Sequence, residues 1–414
     1  MKLGKVAIVG YGTAGQALAV LLGRAGVAVE VFEQAAQPGP VGAGFLLQPS
    51  GLQVLWQMGL LEAAFAHGAV VRRLFGQSAD ARTVMDIRYG RLDERLFGLG
   101  MQRGALFELL DAAWHPRGQL HTGVRVTAVS DDLRRLQDQH GGSHGPFDLI
   151  IAADGANSCL RSVPAAPRRD VAYPWGARWC LLDAAGWAHG DELRQRYDGT
   201  HRMAGLLPVG TRPGDPVARL SFFWSLRSDI QQAWEEQPLP EWKQELARLW
   251  PESADRLDPV QTHSQLLRAS YRDAVVSAWS RGRVVLAGDA AHAMSPQLGQ
   301  GVNMALLDAW TLAAQLRQHA DLDTALSAYA QVRRAHVQIY QFWSRWLTPL
   351  FQSDHNGLAL MRDVLLGPLG NLPVGRQHLL RVLTGTQRGV WGTLPLADDF
   401  VQAMARHGQG GGGQ

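Results

Sequence analysis

The chain has 414 residues, 46% hydrophobic and 19% charged, with a formal net charge of +3 and a pI near 9.0. That length suits two domains or one large two-lobed domain, with ample apolar material for a core. Basic residues are scattered in short pairs such as Arg72-Arg73 and Arg333-Arg334, which argues against nucleic-acid binding but suits an anionic, phosphate-bearing ligand. Two cysteines, Cys159 and Cys180, form neither a disulfide framework nor a metal cluster, and they point to a reducing cytoplasm.

Lys2 and Lys5 ahead of an apolar stretch imitate a signal peptide, but Gly10, Gly12 and Gly15 interrupt it. The segment reads instead as strand, turn and helix. Residues 6–9 are short, apolar and β-branched, as in a buried parallel strand. Residues 14–24 have helical spacing, Gly26 stops the helix, and 27–32 form a second strand ending at Glu33. Helices are expected over 50–58 and 101–114, the latter with Leu106, Leu109, Leu110 and Ala113 on one face. Residues 119–140 alternate as antiparallel strands, and 147–153 form another buried strand. From 171 to 270 the character changes: two strand-like runs, 203–209 and 219–226, lie among many aromatics, and a helix over 241–250 closes the lobe. Parallel-strand character returns at 284–287, followed by helices over 302–316 and 324–346. A nucleotide-binding lobe from 1–170 and 271–350 is therefore expected around an inserted lobe at 171–270. A helical segment would follow at 351–406, with a frayed tail at 407–414. No run reaches the roughly 20 apolar residues of a membrane span.

Three motifs carry chemistry. Gly10-Tyr11-Gly12-Thr13-Ala14-Gly15 lies between a strand and a helix, with Glu33 closing the next strand. Gly10 permits a tight turn, Gly12 lets a pyrophosphate approach, and Gly15 allows close helix packing. The helix start offers free N–H groups to phosphates, and Glu33 is placed for a ribose. This βαβ unit is Rossmann-like, but it does not separate FAD from NAD. The second motif, Asp154-Gly155 with Ser158 and Arg161, follows a buried strand. The third runs Gly288-Asp289-Ala290-Ala291-His292 and continues as Pro296, Gly299, Gln300, Gly301, Val302, Asn303 and Asp308. His292 invites a catalytic role, but a histidine holding that turn is the better reading. Asp154 and Asp289 could simply cap turns, and Arg161 could be a surface ion pair.

In this order and spacing, the three motifs resemble the fingerprints of the FAD-dependent aromatic hydroxylases, relatives of para-hydroxybenzoate and salicylate hydroxylases. The resemblance implies a Rossmann-like FAD-binding domain with an inserted antiparallel β-sheet substrate domain and C-terminal helices. It implies that Glu33 holds the adenosine ribose, Arg103 and Asp154 the pyrophosphate region, and Asp289 the ribityl chain. Pro296 and the 299–301 loop would lie beside the isoalloxazine, with Asn303 and the helix start adding donors. Arg161 would belong to a segment associated with NAD(P)H. NADH or NADPH and O2 become co-substrates, and oxygen would pass through a flavin C4a-hydroperoxide to a small aromatic or heteroaromatic molecule. Aromatic acids and phenols are the default substrates, and tailoring oxidation of a larger natural product is the alternative. Met203, Leu207, Ser221 and Phe223 are candidate substrate contacts; His201 and Tyr197 are further polar candidates. Which face of the strands points inward stays open at this stage.

A halogenase of the same superfamily would carry a WxWxIP segment before the third motif. Here Trp343-Ser344-Arg345-Trp346 comes after it with different spacing. A C=C reductase of the superfamily and a non-catalytic FAD-binding regulator are the remaining rivals. No metal ligand set and no dedicated nicotinamide domain are expected.

Overall fold

The computed structural model describes residues 3–39, 42–114, 118–353, 357 and 373–410. Strand Lys5–Val9 is buried along its length after Lys5, because its four following residues are apolar and covered on both faces. It sits inside a six-stranded sheet ordered Ser280–Arg281, Val284–Leu286, Leu149–Ala152, Lys5–Val9, Ala28–Glu33 and Gln119–Thr122. All pairs are parallel except the one at the Ser280–Arg281 edge. Helices Thr13–Arg24 and Gly301–Gln318 pack on this sheet.

Parallel register has one consequence for function. Lys5–Val9, Leu149–Ala152 and Val284–Leu286 run side by side and end together. The backbone amide of Ala153 bonds to Val9 O, and that of Ala287 to Ala152 O. All three motifs therefore emerge at the carboxyl edge of one sheet, where open α/β sheets place their ligands.

The second sheet has seven strands, ordered Leu267–Val275, Arg169–Asp183, Asp215–Arg227, Arg202–Arg212, Glu192–Asp198, Arg73–Ser78 and Thr83–Arg88. It is antiparallel except where Glu192–Asp198 meets Arg73–Ser78. The sheet thus extends beyond 171–270 and recruits two strands from the N-terminal part of the chain. One face carries Leu220, Phe222, Trp224 and Leu226 and packs against Trp234, Trp242 and Leu246 of helices Gln231–Glu236 and Leu239–Leu249. The opposite face carries Met203, Leu207, Ser221 and Phe223, which register places together.

A small sheet of Gly44–Leu47, Gly98–Gln102 and Ala69–Val71 joins the two layers. A β-carbon on Gly100 would meet Pro208 O at 1.9 Å, so only glycine lets this sheet come so close.

Several expectations are corrected here. Residues 98–102 are a strand, and the helix begins at Arg103. Gln119–Thr122 joins the parallel sheet instead of a hairpin. Helix Leu322–Phe351 runs further than 324–346 and contains the Trp343–Trp346 string. The tail is not frayed at its start: helix Asp398–Gly410 docks through His407 on Glu62 and through Gly408 O on Arg72. Residues 411–414 and most of 354–372 lie outside the described residues. Among those described, no helix is long and apolar enough to cross a membrane, and no cluster could hold a metal ion.

Candidate active site

The glycine turn is built for close packing on one side and openness on the other. Gly10 has φ 100°, and a β-carbon there would meet Ala153 O at 2.4 Å. Gly12 is exposed, with nothing within 4 Å of where its β-carbon would be. The amide groups of Thr13, Ala14 and Gly15 begin helix Thr13–Arg24 directly behind it. Glu33 accepts hydrogen bonds from the amides of Tyr11 (2.9 Å) and Ala35 (2.8 Å), which fixes its carboxylate beside the turn.

Gly288 adopts φ 61° and starts the short helix Asp289–His292. The Asp289 side chain is exposed, with no hydrogen bond or ion pair among the described residues. His292 points the other way. Its Nε2 lies 2.6 Å from the fully buried Asp308, which also accepts from the Gly288 amide at 2.7 Å. The other Asp308 oxygen accepts from Arg333 Nε at 2.7 Å. Burial opposes charge on Asp308, but His292 and Arg333 outweigh it and hold the carboxyl well below the usual range. Arg333 then donates to His336 Nδ1, and His336 Nε2 donates to Gly385 O at 3.0 Å. The histidine of the third motif therefore braces a buried chain that ties its turn to the C-terminal region.

This chain has a pH signature. Burial, with Arg333 beside it, pushes the His336 pKa down to about 3 from an ordinary 6.5. As pH falls below 6.5 the unfolded chain takes up this proton before the folded one does. Stability is thus present above 6.5 and lost below it, by about 1.4 kcal/mol per pH unit at most. Denaturant melts between pH 7 and 5 should show this slope, and His336→Gln should flatten it. An equal slope in the variant would rule His336 out as the source.

Pro296–Leu298 forms a single 3-10 turn, and Gly299 follows in the left-handed region at φ 60°. Gly299 and Gly301 are exposed with open space around both. The Gln300 side chain is turned inward to Leu383 O and Val382 O, so only its backbone faces the loop surface. Val302 opens the first turn of helix Gly301–Gln318. Asn303 is fully buried: its Oδ1 accepts from the Gln48 amide and its Nδ2 donates to Leu46 O.

Arg103 stands at the start of helix Arg103–Trp114, with its guanidinium over the Phe45 ring. It is solvent-accessible although surrounded by protein, so it lines the wall of a cleft. It has no ion pair among the described residues and lies within electrostatic reach of Tyr271 and Asp289. Asp154 accepts from the Cys159 amide through Oδ2, while its Oδ1 and the Ser158 hydroxyl are buried without a partner. Arg161 is 2% exposed, and its donors go to Ala290 O, Asp170, Gly155 O, Ala156 O and Asp289 O. Its guanidinium braces the second motif against the third, leaving no donor for an outside group.

The seven-stranded sheet turns the face of Met203, Gly205 and Phe223 away from its helices and toward this cleft. Leu207 and Ser221 share that face but lie under the small sheet, where Gly44 approaches both Val209 and Ser221. Tyr197 packs on Phe351, and His201 sits beside Asp198 at the far turn. Sequence reading missed Trp179 and Tyr271 as wall residues. Trp179 lies 5.2 Å from Phe223, and Tyr271 sits beside Trp179 and Arg103. Alternation along Arg169–Asp183 and Leu267–Val275 was the available signal.

A family model described as an FAD binding domain matches residues 4–342. The chain belongs to this family, the FAD-dependent aromatic hydroxylases. It is 28% identical over 408 residues to a putative 2-heptyl-3-hydroxy-4(1H)-quinolone synthase of Rhodococcus erythropolis, covering 94% of this chain and 98% of that protein. It is 30% identical over 352 residues to the 3-amino-4-hydroxybenzoate 2-monooxygenase PtnB3 of Streptomyces platensis, covering 81% and 85%. A solved structure of Klebsiella pneumoniae HpxO, complexed with FAD and uric acid, superposes with a TM-score of 0.75 at 23% identity, covering 92% and 96%. This aromatic hydroxylase is thus an FAD-dependent monooxygenase.

The cleft of this hydroxylase fits FAD. An open backbone at Gly12 faces a helix start that can hold phosphates. The Tyr11 and Ala35 amides hold Glu33 beside the turn, where a ribose hydroxyl would reach it, and Arg103 and Asp289 both face the cleft without an ion pair among the described residues. Open glycines at 299 and 301 leave room for a flat ring.

Proposed function

We propose that the protein uses NADH or NADPH and O2 to place one oxygen atom on a small aromatic or heteroaromatic substrate. The observation that supports this best is the juxtaposition of Arg103 and Asp289 with the aromatic face of Trp179, Phe223 and Tyr271. In this reading one cleft holds cofactor on one wall and substrate on the other. When bound, FAD supplies hydride acceptance and, once reduced, activation of O2.

The remaining work belongs to the chain. The 13–15 amides and Arg103 hold the pyrophosphate, Glu33 the adenosine ribose and Asp289 the ribityl hydroxyls. Asp154, beside Gly10, borders the same region. The Gly299 amide closes its own turn on Pro296 O, and the backbone amides from Gln300 to Val302, with the helix start behind them, offer donors to negative charge on the flavin ring. Asn303 fixes that helix to the 46–48 segment and so sets the loop's position. The sheet face excludes water from the substrate side. Arg161 acts in this scheme only by bracing the two motifs. A tailoring oxidation of a larger metabolite remains the second reading, favoured by the apolar rim described below.

Arg103→Gln should weaken FAD binding ten- to hundredfold, as removing a charged hydrogen bond costs about 1.5–3 kcal/mol. Equilibrium titration of apoprotein with FAD measures this, and unchanged affinity would remove Arg103 from the site. The function itself is tested by the absorbance spectrum and by NADH and NADPH oxidation in air, with and without phenols and heteroaromatics. Bound flavin, compound-stimulated oxidation and an oxygenated product are expected. Failure to bind FAD would end the reading.

A further inference from the structure

On the cofactor-facing side of the seven-stranded sheet, the positions around Trp179, Phe223 and Met203 carry no Lys, Arg, Asp or Glu among the described residues, and Asp273, two residues beyond Tyr271, is paired with Arg169 and Arg345. Register fixes which residues these are. Trp179 pairs with Phe223 on one side and with Leu267 on the other. Leu181, two residues along, shares that face. Met203 and Gly205 continue it on strand Arg202–Arg212. Phe223 lies flat over Gly205, where a β-carbon would meet the ring at 2.1 Å. The charged neighbours point to the other face: Arg178 is bound to Gln231 and Glu235 beneath the helices.

Two further features mark the wall. Leu267 is 50% exposed and Leu181 39%, and they flank Trp179, so an apolar rim continues the aromatic surface outward. Exposed aliphatic side chains adjoining a cleft suit an apolar ligand. The polar groups offered are uncharged. Trp179 Nε1 is buried beside the Tyr271 phenol and within its hydrogen-bonding reach, so the pair presents a neutral polar edge to the cleft. Burial pushes that phenol up to about 12, so it stays neutral at working pH.

We infer that the substrate is an uncharged planar aromatic or heteroaromatic ring bearing an apolar substituent. The ring lies against Trp179, Phe223 and Tyr271, and the substituent runs along Leu181 and Leu267. This rests on the proposed monooxygenase reading, in which Arg103 is taken by the cofactor phosphates. A substrate carboxylate would then be desolvated against this wall without a cation, which is costly. A neutral ring gains from stacking and from apolar burial along the rim.

The test uses FAD-loaded protein and a matched pair of ligands, 4-propylphenol and 3-(4-hydroxyphenyl)propionate, which differ in the charge at the end of a similar chain. Binding is read from the flavin absorbance change and tryptophan fluorescence. The neutral compound should bind at least tenfold more tightly. Leu267→Asp should weaken it about tenfold without changing FAD content, and Leu267→Ala should weaken it less. Equal or tighter binding of the acid would overturn the inference and place a cation, Arg103 first, against the substrate. Binding of neither compound, or no effect of Leu267→Asp, would also overturn it. The underlying reading is judged separately: loss of FAD, or no oxygenated product from any compound, would sink that reading whichever ligand binds better.

Discussion

Asp308→Asn should lower the unfolding free energy by about 3–5 kcal/mol, the usual cost of removing one member of a buried ion pair. The carboxylate is fully buried and receives three donors: the Gly288 amide, His292 and Arg333. An amide cannot replace it. With the amide oxygen toward Gly288 and His292, its NH2 faces the Arg333 guanidinium, donor against donor. Flipped, it satisfies Arg333 and leaves the Gly288 amide facing a donor. The Gly288 turn carries Asp289 into the cleft, so FAD retention should fall along with stability. Urea melts and the flavin absorbance of purified protein measure both. Asp308→Asn combined with Arg333→Met should recover part of the stability, since the stranded charge is gone. A single variant within about 1 kcal/mol of the natural protein would show that the chain 292–308–333–336 does not hold the turn.

The same chain shows what a sequence can and cannot reveal. Each motif was legible because glycine and an acid follow a short apolar strand, a local pattern with a local cause. Their convergence was implied by parallel strands, which must end at one edge. His292 was read as a brace, but its partners Arg333 and His336 lie on a helix whose register against the turn is set only by packing. The start of the 103–114 helix was misjudged because Met101 continues its apolar spacing; Gly98 and Gly100 belong instead to a strand pressed against Pro208. Strands 73–78 and 83–88 went unread as part of the large sheet, since a parallel pairing with 192–198 spans more than a hundred residues. Alternation along strand 215–227 separates Ser221, Phe223 and Ser225 from Leu220, Phe222, Trp224 and Leu226, and the helices cover the second set. Which set faced the cleft depended on helices 231–236 and 239–249 covering the other, and that is a tertiary fact. Alternation could have put Trp179 and Tyr271 each on one face of its strand, but they meet only through the pairing of strands 169–183 and 267–275, which is again tertiary.

The glycine turn offers a sharper separation of folding from binding. In Gly15→Ala the new β-carbon would lie 2.0 Å from Gly10 O and 3.1 Å from Gly10 C. Both are backbone atoms in a turn already committed to φ 100°, so neither can yield cheaply. Either the helix slides or the turn opens, at a cost of about 1–3 kcal/mol. Both movements displace the 13–15 amides from the place they offer to phosphates, so FAD binding should be lost as well. Gly12→Ala is the contrasting change. Gly12 has φ −78°, which alanine adopts freely, and open space lies where the β-carbon would go. Its apoprotein should melt like the natural one. If a pyrophosphate passes over that backbone, however, the added methyl stands in its path, and FAD affinity should drop sharply without any loss of fold. Apoprotein melts and FAD titrations of the two variants together decide the matter. A Gly12→Ala protein that binds FAD normally would mean that the phosphates do not cross this turn, and the cofactor placement built on it would have to move.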